Sequence, residues 1–570
     1  MFDITINNRK IKAEENETIL VAAKRAGINI PTLCHMEGLL PSGACRICSV
    51  EVEGSSNLIT ACSYPVSNGM KIKTNSIRVN RARKVIVELL LANHPNDCLY
   101  CVRNNDCDLQ KLASTHNIRE RRLPERKKIT HKLDYSSAAI LRDNAKCVLC
   151  GKCVRVCDEV QNVGAIDFIQ RGSSTEIGTA FNESLSRSNC INCGQCIIQC
   201  PTGAIRERSY LKEVIEAIED PETTVVIQHA PAISVTIAEE FGIDKNKDAT
   251  GVLTTVLREI GFDYIFDTAF GADLTIMEEA SELIERIKGN GKLPMLTSCC
   301  PAWIKYVEHN HHDFIPNLST CKSPQQMLGA VIKNIFAKDN NINKKKIFSV
   351  SIMPCSAKKY EAQREEMKLD KTFDVDAVIT TRELVRLIKM NGISLENHRE
   401  TKGDSPLSEY SGAGKIFGGT GGVMEAALRT AQFMLTGKHP EKLDFEDLRG
   451  DKNIKEFKVN VGDLKIGVAV VNGIGNAENL LNEIRNGRDD IHFIEVMTCS
   501  GGCVAGGGQP QNVDKESIKS RKNLLYTVDA ASSSRVSHNN SSIKELYENA
   551  LGSPLGKLSH KILHTSYTKR

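Results

Sequence analysis

The chain has 570 residues, with 74 Lys and Arg against 70 Asp and Glu, and the resulting net charge of +4 is too small to make nucleic acid its main partner. That length allows three or four domains and a large core, which excludes a small peptide scaffold. The start, MFDITINNRKI, has no long apolar run, so neither a secretory signal nor a membrane anchor is expected, and no later run reaches membrane-spanning length. A cytoplasmic location follows as an expectation. Because that compartment keeps thiols reduced, the 21 cysteines are read as metal ligands and not as a disulfide framework.

Residues 2–13 read as a hairpin turning at Asn7-Asn8, and Thr18 caps a short helix that stops at Gly27. Cys34, Cys45, Cys48 and Cys62 follow as C-x10-C-x2-C-x13-C. That is the arrangement of plant-type [2Fe–2S] domains with a lengthened first gap. Zinc is the competing reading, although a zinc site usually presents two close pairs. A helix over Asn80 to Asn93 carries Ala82, Val85, Ile86, Leu89 and Leu90 at helical spacing and must end near Pro95. His94, Cys98, Cys101 and Cys107 then gather an imidazole and three thiolates within fourteen residues. This favours a [4Fe–4S] cluster with one histidine ligand over zinc, and the neutral imidazole sets its potential apart from that of an all-cysteine cluster.

Leu123 to Ser137 reads as a connector. The basic run Arg119, Arg121, Arg122, Arg126, Lys127, Lys128 and Lys132 reads as a solvated linker in preference to a docking patch. The strongest motif comes next. Cys147, Cys150, Cys153 and Cys157 are spaced C-x2-C-x2-C-x3-C, and Cys190, Cys193, Cys196 and Cys200 repeat the pattern. In two-cluster ferredoxins the fourth cysteine of each run serves the other cluster, which groups Cys147, Cys150 and Cys153 with Cys200, and Cys190, Cys193 and Cys196 with Cys157. Asp158 stands where the second run has Pro201.

From Leu211 onward, strands alternate with helices: Thr224 to Gln228, Asp263 to Phe266, Met295 to Thr297, Phe348 to Met353, Ala377 to Thr380 and Ile466 to Val471. This is an α/β pattern with parallel sheet. Cys300, Cys355 and Cys499 each lie just after an apolar strand-like run, and Cys503 sits with Cys499 in a glycine-rich turn. Ligands in such folds bind beyond the carboxyl ends of strands, so four thiolates can share one further cluster. Burial as small core cysteines is the alternative.

The motifs TSCCPAW (297–303), MPCSAKKYE (353–361) and EVMTCSGGCVAGGGQP (495–510) resemble the signatures of [FeFe] hydrogenases, and the modules before them resemble the accessory domains of the monomeric clostridial type. The tail from Leu546 to Tyr567, with His560 and His564, resembles the family's carboxy-terminal extension. The resemblance implies a multidomain α+β and α/β chain. A β-grasp [2Fe–2S] ferredoxin-like domain would span 1–78 and a His/Cys3 [4Fe–4S] domain 79–125. A ferredoxin-like domain with two [4Fe–4S] clusters would span 138–209, and an α/β catalytic domain with parallel sheets in two lobes 210–570. It also implies an H-cluster, a [4Fe–4S] cubane joined to a di-iron subsite carrying CO, cyanide and azadithiolate. Three accessory [4Fe–4S] clusters and one [2Fe–2S] cluster would supply it with electrons.

Carried over residue by residue, Cys300, Cys355, Cys499 and Cys503 hold the cubane and Cys503 bridges to the di-iron unit. Ala230, Pro231, Met353, Pro354, Lys358 and Met497 surround that subsite, with Lys358 donating to a cyanide as a charge-assisted partner. Cys299, Glu279, Ser319, Glu282 and Arg286 match the proton route. Glu279, Glu282 and Arg286 share one face of a helix near Thr275 to Lys288, where a salt-bridged solvent face would look the same. Two residues depart from the usual pattern: Ala232 replaces a common serine and Ala302 a common glycine, and neither is a metal ligand.

The resemblance implies reversible reduction of protons to H2, with ferredoxin the expected electron partner and flavodoxin second. It also implies dedicated maturation enzymes, a monomer, and neither a nucleic-acid nor a membrane partner. Three other classes compete: an H2 sensor, a non-catalytic iron–sulfur assembly protein, and an electron-transfer subunit of an NADH-oxidising complex. No flavin or nucleotide motif and no cysteine after Cys503 supports the last of these.

Overall fold

The computed structural model describes residues 1–124, 133–243, 247–440, 442–461, 464–511 and 513–570. Arg126, Lys127, Lys128 and Lys132 of the basic run lie outside the described residues. Within it, Arg122 pairs with Glu88 at 2.5 Å and Arg121 donates to the His94 carbonyl at 2.9 Å, so this part of the run folds back on its own module just before the connector.

The hairpin pairs Phe2–Ile6 antiparallel with Arg9–Ala13, and Asn7 and Asn8 take the positive φ that its turn requires. The sheet has five strands, with Lys71–Lys73 parallel to the first strand, followed by Ser49–Val52 and Ile59–Thr60. Thr18 caps the helix Ile19–Arg25 by accepting from the Val21 N–H. Ile4, Ile6, Ile19, Val50 and Ile72 form the core beneath the helix. The next helix runs over Ile77–Ala92. Ser76 caps it, so it begins a turn before its apolar periodicity becomes visible.

The third module is two small antiparallel pairs, Ile140–Arg142 with Ile205–Glu207 and Asp167–Ile169 with Glu176–Gly178. Gly151 and Gly194, both left-handed, open its two short helices after the first two cysteines of each run. Glu207 docks this module on the catalytic domain through Arg382 and Arg386, at 2.9 and 2.8 Å.

The catalytic part contains two four-stranded sheets. The first, all parallel, has Tyr264–Asp267 at one edge, then Thr224–His229, Ile347–Met353 and Ala377–Thr380. The second orders Met295–Leu296, Phe493–Met497, Leu464–Asn472 and Ile454–Val461, the last of these antiparallel. Parallel sheets in two lobes therefore need one correction: the second lobe closes with an antiparallel edge strand. That strand precedes its neighbour in the chain; its exposed Glu456, Lys458 and Asn460 alternate with half-buried Phe457 and Val459, and a buried Lys455 interrupts the apolar side, which hides the pattern of a half-exposed strand in the sequence. Between the sheets, Thr268–Ile287 is buried nearly throughout, and it starts seven residues before Thr275 because Asp267 caps it.

Candidate active site and cluster sites

The cysteines of the large domain arrive from strand ends in both sheets. Met353 ends one central strand and leads to Pro354-Cys355, while Met497 ends another and leads to Cys499. Cys299 and Cys300 follow the short 295–296 strand, and Cys300 caps the helix Pro301–Asn310. One cavity of about 80 Å³ is lined by Cys299, Cys300, Cys355 and Cys503. Ala230, Pro231, Met353, Pro354, Lys358 and Met497, together with Ala232 at the departing position, form half of the remaining wall. Cys499 is buried behind them and accepts from the Gln195 side chain at 3.1 Å, a contact that reaches it from the ferredoxin-like module. Ala302 lies in the core beside Trp303 and away from the cavity.

The chemistry of this donor set fits a cationic cluster. Burial and then the neighbouring sulfurs push the Cys355 and Cys503 thiols up to about 12, and Cys499 goes well above its ordinary value for the same reasons. Converging buried thiols become thiolates readily only around a positive centre, which four-sulfur ligation of iron provides. Lys358 is buried: desolvation alone would depress it, but its pair with Glu361 at 2.9 Å outweighs that and keeps it charged. Its ammonium also donates to the Cys299 carbonyl at 3.1 Å, so it is fixed against the cavity and is not a surface lysine.

The 268–287 helix brings a line of acid groups to the same place. Glu279, Glu282 and Arg286 are 0, 8 and 7 % exposed, so they do not form a solvent face. Ser319 Oγ donates to Glu282 at 2.8 Å. Arg286 donates to Glu282 at 2.6 Å and to the carbonyls of Lys292, Asn317 and Leu318, which spend its guanidinium on this one buried corner. Neither Glu279 oxygen makes a well-formed hydrogen bond to a described partner, although the Ser319 side chain and the Ser298 backbone lie close enough to favour its charged form. Burial, followed by the charges of Glu282 and Glu495, pushes it up to about 8. Cys299 is raised well above its ordinary value by burial and then by Glu279, so it stays a thiol near neutrality.

The accessory cysteines are also brought together. Cys147, Cys150, Cys153 and Cys200 line one cavity, and Cys157, Cys190, Cys193 and Cys196 line another. Cys107 packs with Leu33, Ile47 and Val87, with Cys45 and Val148 against the same cluster, so three modules meet there. The Cys107 thiol lies 3.6 Å from the Pro201 carbonyl. An added Cβ on Gly203 would meet Cys101 Sγ at 2.9 Å. His94 is buried at the end of its helix. At the other end of the module, Gly507 lies so close to the Cys193 carbonyl that any side chain there would overlap it.

A family model described as the iron only hydrogenase large subunit, C-terminal domain, matches residues 223–507, half of the chain. The chain belongs to the [FeFe] hydrogenases. A model for the iron hydrogenase small subunit matches 515–570, and models for a 2Fe-2S domain, an NADH-ubiquinone oxidoreductase-G iron-sulfur region and a 4Fe-4S dicluster domain match 1–76, 83–122 and 146–204. The chain is 45 % identical over its whole length to the NADP-reducing hydrogenase subunit HndD of Solidesulfovibrio fructosivorans, covering 99 % of that protein. It is 40 % identical to iron hydrogenase 1 of Clostridium pasteurianum, with 100 % of both chains covered. The solved structure of a variant of apo [FeFe]-hydrogenase HydA1 from Chlamydomonas reinhardtii superposes with a TM-score of 0.58 at 40 % identity, covering 64 % of this chain and 99 % of the other.

As an [FeFe] hydrogenase, the chain is an oxidoreductase acting on hydrogen, with accessory iron–sulfur clusters serving an H-cluster site. No helix among the described residues is long and apolar enough to cross a membrane. Sequence reasoning missed Gln195, Thr320 and Cys321. Cys321 is the one cysteine outside every motif, the only signal available for it.

Proposed function

We propose that this [FeFe] hydrogenase exchanges electrons with ferredoxin, or with flavodoxin in second place, and works as a cytoplasmic monomer after loading by maturation enzymes. Its modules divide near residues 78, 125 and 209. Cys34, Cys45, Cys48 and Cys62 hold the [2Fe–2S] cluster; His94, Cys98, Cys101 and Cys107 hold the first [4Fe–4S] cluster. The ferredoxin-like module takes two more, on Cys147, Cys150, Cys153 and Cys200 and on Cys157, Cys190, Cys193 and Cys196. Cys300, Cys355, Cys499 and Cys503 hold the cubane of the H-cluster. The observation that carries this reading is the convergence of Cys300, Cys355 and Cys503 on one cavity, with Cys499 buried behind them, and the presence on the same wall of Cys299, whose thiol feels the charge of Glu279.

When bound, the H-cluster supplies the redox chemistry that interconverts protons, electrons and H2. The chain's own residues move the protons and exclude water. Arg286 and Ser319 hold Glu282 in place. Glu279, poised at about 8, takes and gives a proton near neutral pH without a large energetic step. Cys299 holds the last proton at its sulfur, facing the cavity. Met353 and Met497 keep the wall apolar, and Lys358 offers a fixed positive charge to an anionic ligand.

An infrared spectrum of anaerobically matured protein, taken with an iron count, tests the reading. Metal-bound CO and cyanide bands that shift under H2 are expected. Filled accessory clusters without such bands, after proven maturation, would overturn it. The full-length likeness to an NADP-reducing hydrogenase subunit favours a second reading, in which the chain works inside a larger assembly. Light scattering of the native protein, with H2-driven reduction of ferredoxin compared with that of NADP+, separates the two.

A further inference from the structure

The loop carrying Ser319 is held from two sides. Towards the sheet, the Ser319 N–H donates to the Leu296 carbonyl at 2.8 Å. Towards the carboxy-terminal segment, Thr565 N–H donates to the Thr320 carbonyl and Lys322 N–H to the Leu563 carbonyl, both at 2.8 Å, and Cys321 pairs antiparallel with His564. A sequence-distant segment, matched by the small-subunit family model, thus supplies one wall of the acid line.

His564 fixes the geometry of that wall. Its Nδ1 lies 2.8 Å from Thr320 Oγ1 and its Nε2 3.1 Å from Glu278 Oε2. Glu278 is fully buried and already accepts from the Tyr547 hydroxyl at 2.6 Å and the Leu555 N–H at 2.8 Å. A carboxylate held by donors takes one more, so Nε2 carries the hydrogen and Nδ1 accepts from the Thr320 hydroxyl. Thr320 is thereby pinned, and its peptide N–H donates to both oxygens of Glu282 at 3.2 and 3.1 Å. On the same loop, the Cys321 thiol donates to Glu282 at 3.6 Å and its N–H to Ser319 Oγ at 3.2 Å. A ring nitrogen of His564, the Cys321 sulfur and a Glu282 oxygen all lie within 4.8 Å of one another.

From this we infer that His564 is a positioning residue for the proton relay: through Thr320 it sets where Glu282 and Ser319 sit. The inference rests on the relay reading above. His564 neither touches the cavity nor carries the relayed proton. It keeps a loop without regular structure in the one placement that joins Ser319 to Glu282. The charged and titratable groups that face Glu282 are Arg286 and Glu279 from its own helix, Cys321 from the loop and His564 from the tail; Glu278 and Tyr547 stand behind the imidazole, and His560 stacks on it at 4.6 Å between ring centroids.

The test uses the matured enzyme with four substitutions, His564→Ala, His564→Asn, Thr320→Val and Glu282→Gln. H2 evolution is followed across pH, alongside amide hydrogen exchange of residues 318–322 and the infrared bands. Displacing a relay group by about an ångström costs up to about 100-fold in rate, so His564→Ala and Thr320→Val are expected to lose at least about tenfold, with an altered pH profile, faster exchange in the loop and unchanged bands. His564→Asn, whose amide reaches Thr320, is expected to restore most of the rate. Should His564→Ala fail to fold, Thr320→Val decides alone. Thr320→Val at wild-type rate with Glu282→Gln inactive overturns the inference, as does a His564→Ala loss with an unchanged pH profile that Asn does not rescue. An active Glu282→Gln enzyme instead overturns the relay reading itself.

Discussion

In the proposed reading, the electron side and the proton side of this molecule are built on opposite plans. The accessory cysteines come in short contiguous runs, and the two runs of the ferredoxin-like module exchange one cysteine each to close two cavities within about fifty residues of chain. The acid line draws on the 268–287 helix, the 318–321 loop and residue 564, brought together only by tertiary packing. Thiolates bind iron strongly enough to organise a loop around themselves. A proton relay has no such partner, and every atom in it must be held by something else. Packing therefore bears on the proton side more heavily than on the electron side.

The sharpest way to break this contrast is Glu279→Gln. Removing a relay acid costs about 100- to 10,000-fold in turnover, with the iron content unchanged; a rate assay beside an iron count decides it, and retained turnover would remove Glu279 from the proton side. The same substitution has a stability signature. Folded Glu279 titrates at about 8 against 4.5 for a free carboxyl, so between those values the folded state keeps a proton that the unfolded state releases. Wild-type stability should therefore fall as pH rises through that window and level off above it, and in the Gln variant this component should vanish, as read by thermal unfolding at pH 5 and pH 8.

On the electron side, Glu207→Gln leaves Arg382 and Arg386 without their shared carboxylate, a loss of about 3–5 kcal/mol for a buried pair. Faster hydrogen exchange across residues 138–209 is the expected result. Burial alone would raise Glu207, but the two arginines hold it well below the usual carboxylate range. Its contribution is therefore present above the ordinary carboxyl value and disappears only as pH falls through the depressed one, so mild acid should spare the docking. Gly507→Ala is a smaller change, about 1–3 kcal/mol of overpacking, and should slow ferredoxin-driven turnover more than turnover with a small dye that reaches the catalytic domain directly. The smallest effect is expected from Met497→Leu, below about 1.5 kcal/mol, with a minor shift in the infrared bands.

How much can be read from the chain alone follows the same division. Cysteine spacing exposes cluster sites because ligand geometry constrains sequence locally. Hairpin and cap residues such as Asn7, Asn8 and Thr18 are legible for a similar reason. The helix from Thr268 reads too short in the sequence because its first two turns are buried on all sides and show no amphipathic period. Burial of Glu282 and Arg286 is also out of reach, since an i, i+4 pair has the same spacing at a surface and in a core. His564 stands out only as part of a resembling tail, because its partner Thr320 lies 244 residues away.

The seam at Gly507 bears on how such a chain can diversify. Where Arg382 meets Glu207, two modules touch through long side chains, and drift on one face can be absorbed by the reach of the other. Between the Cys193 carbonyl and Gly507 there is nothing to absorb it. A methyl group gained at residue 507 forces the modules apart, and electron tunnelling weakens steeply with each added fraction of an ångström. At that point inheritance is pinned by a distance and not by a functional group, so the two modules must vary together or not at all.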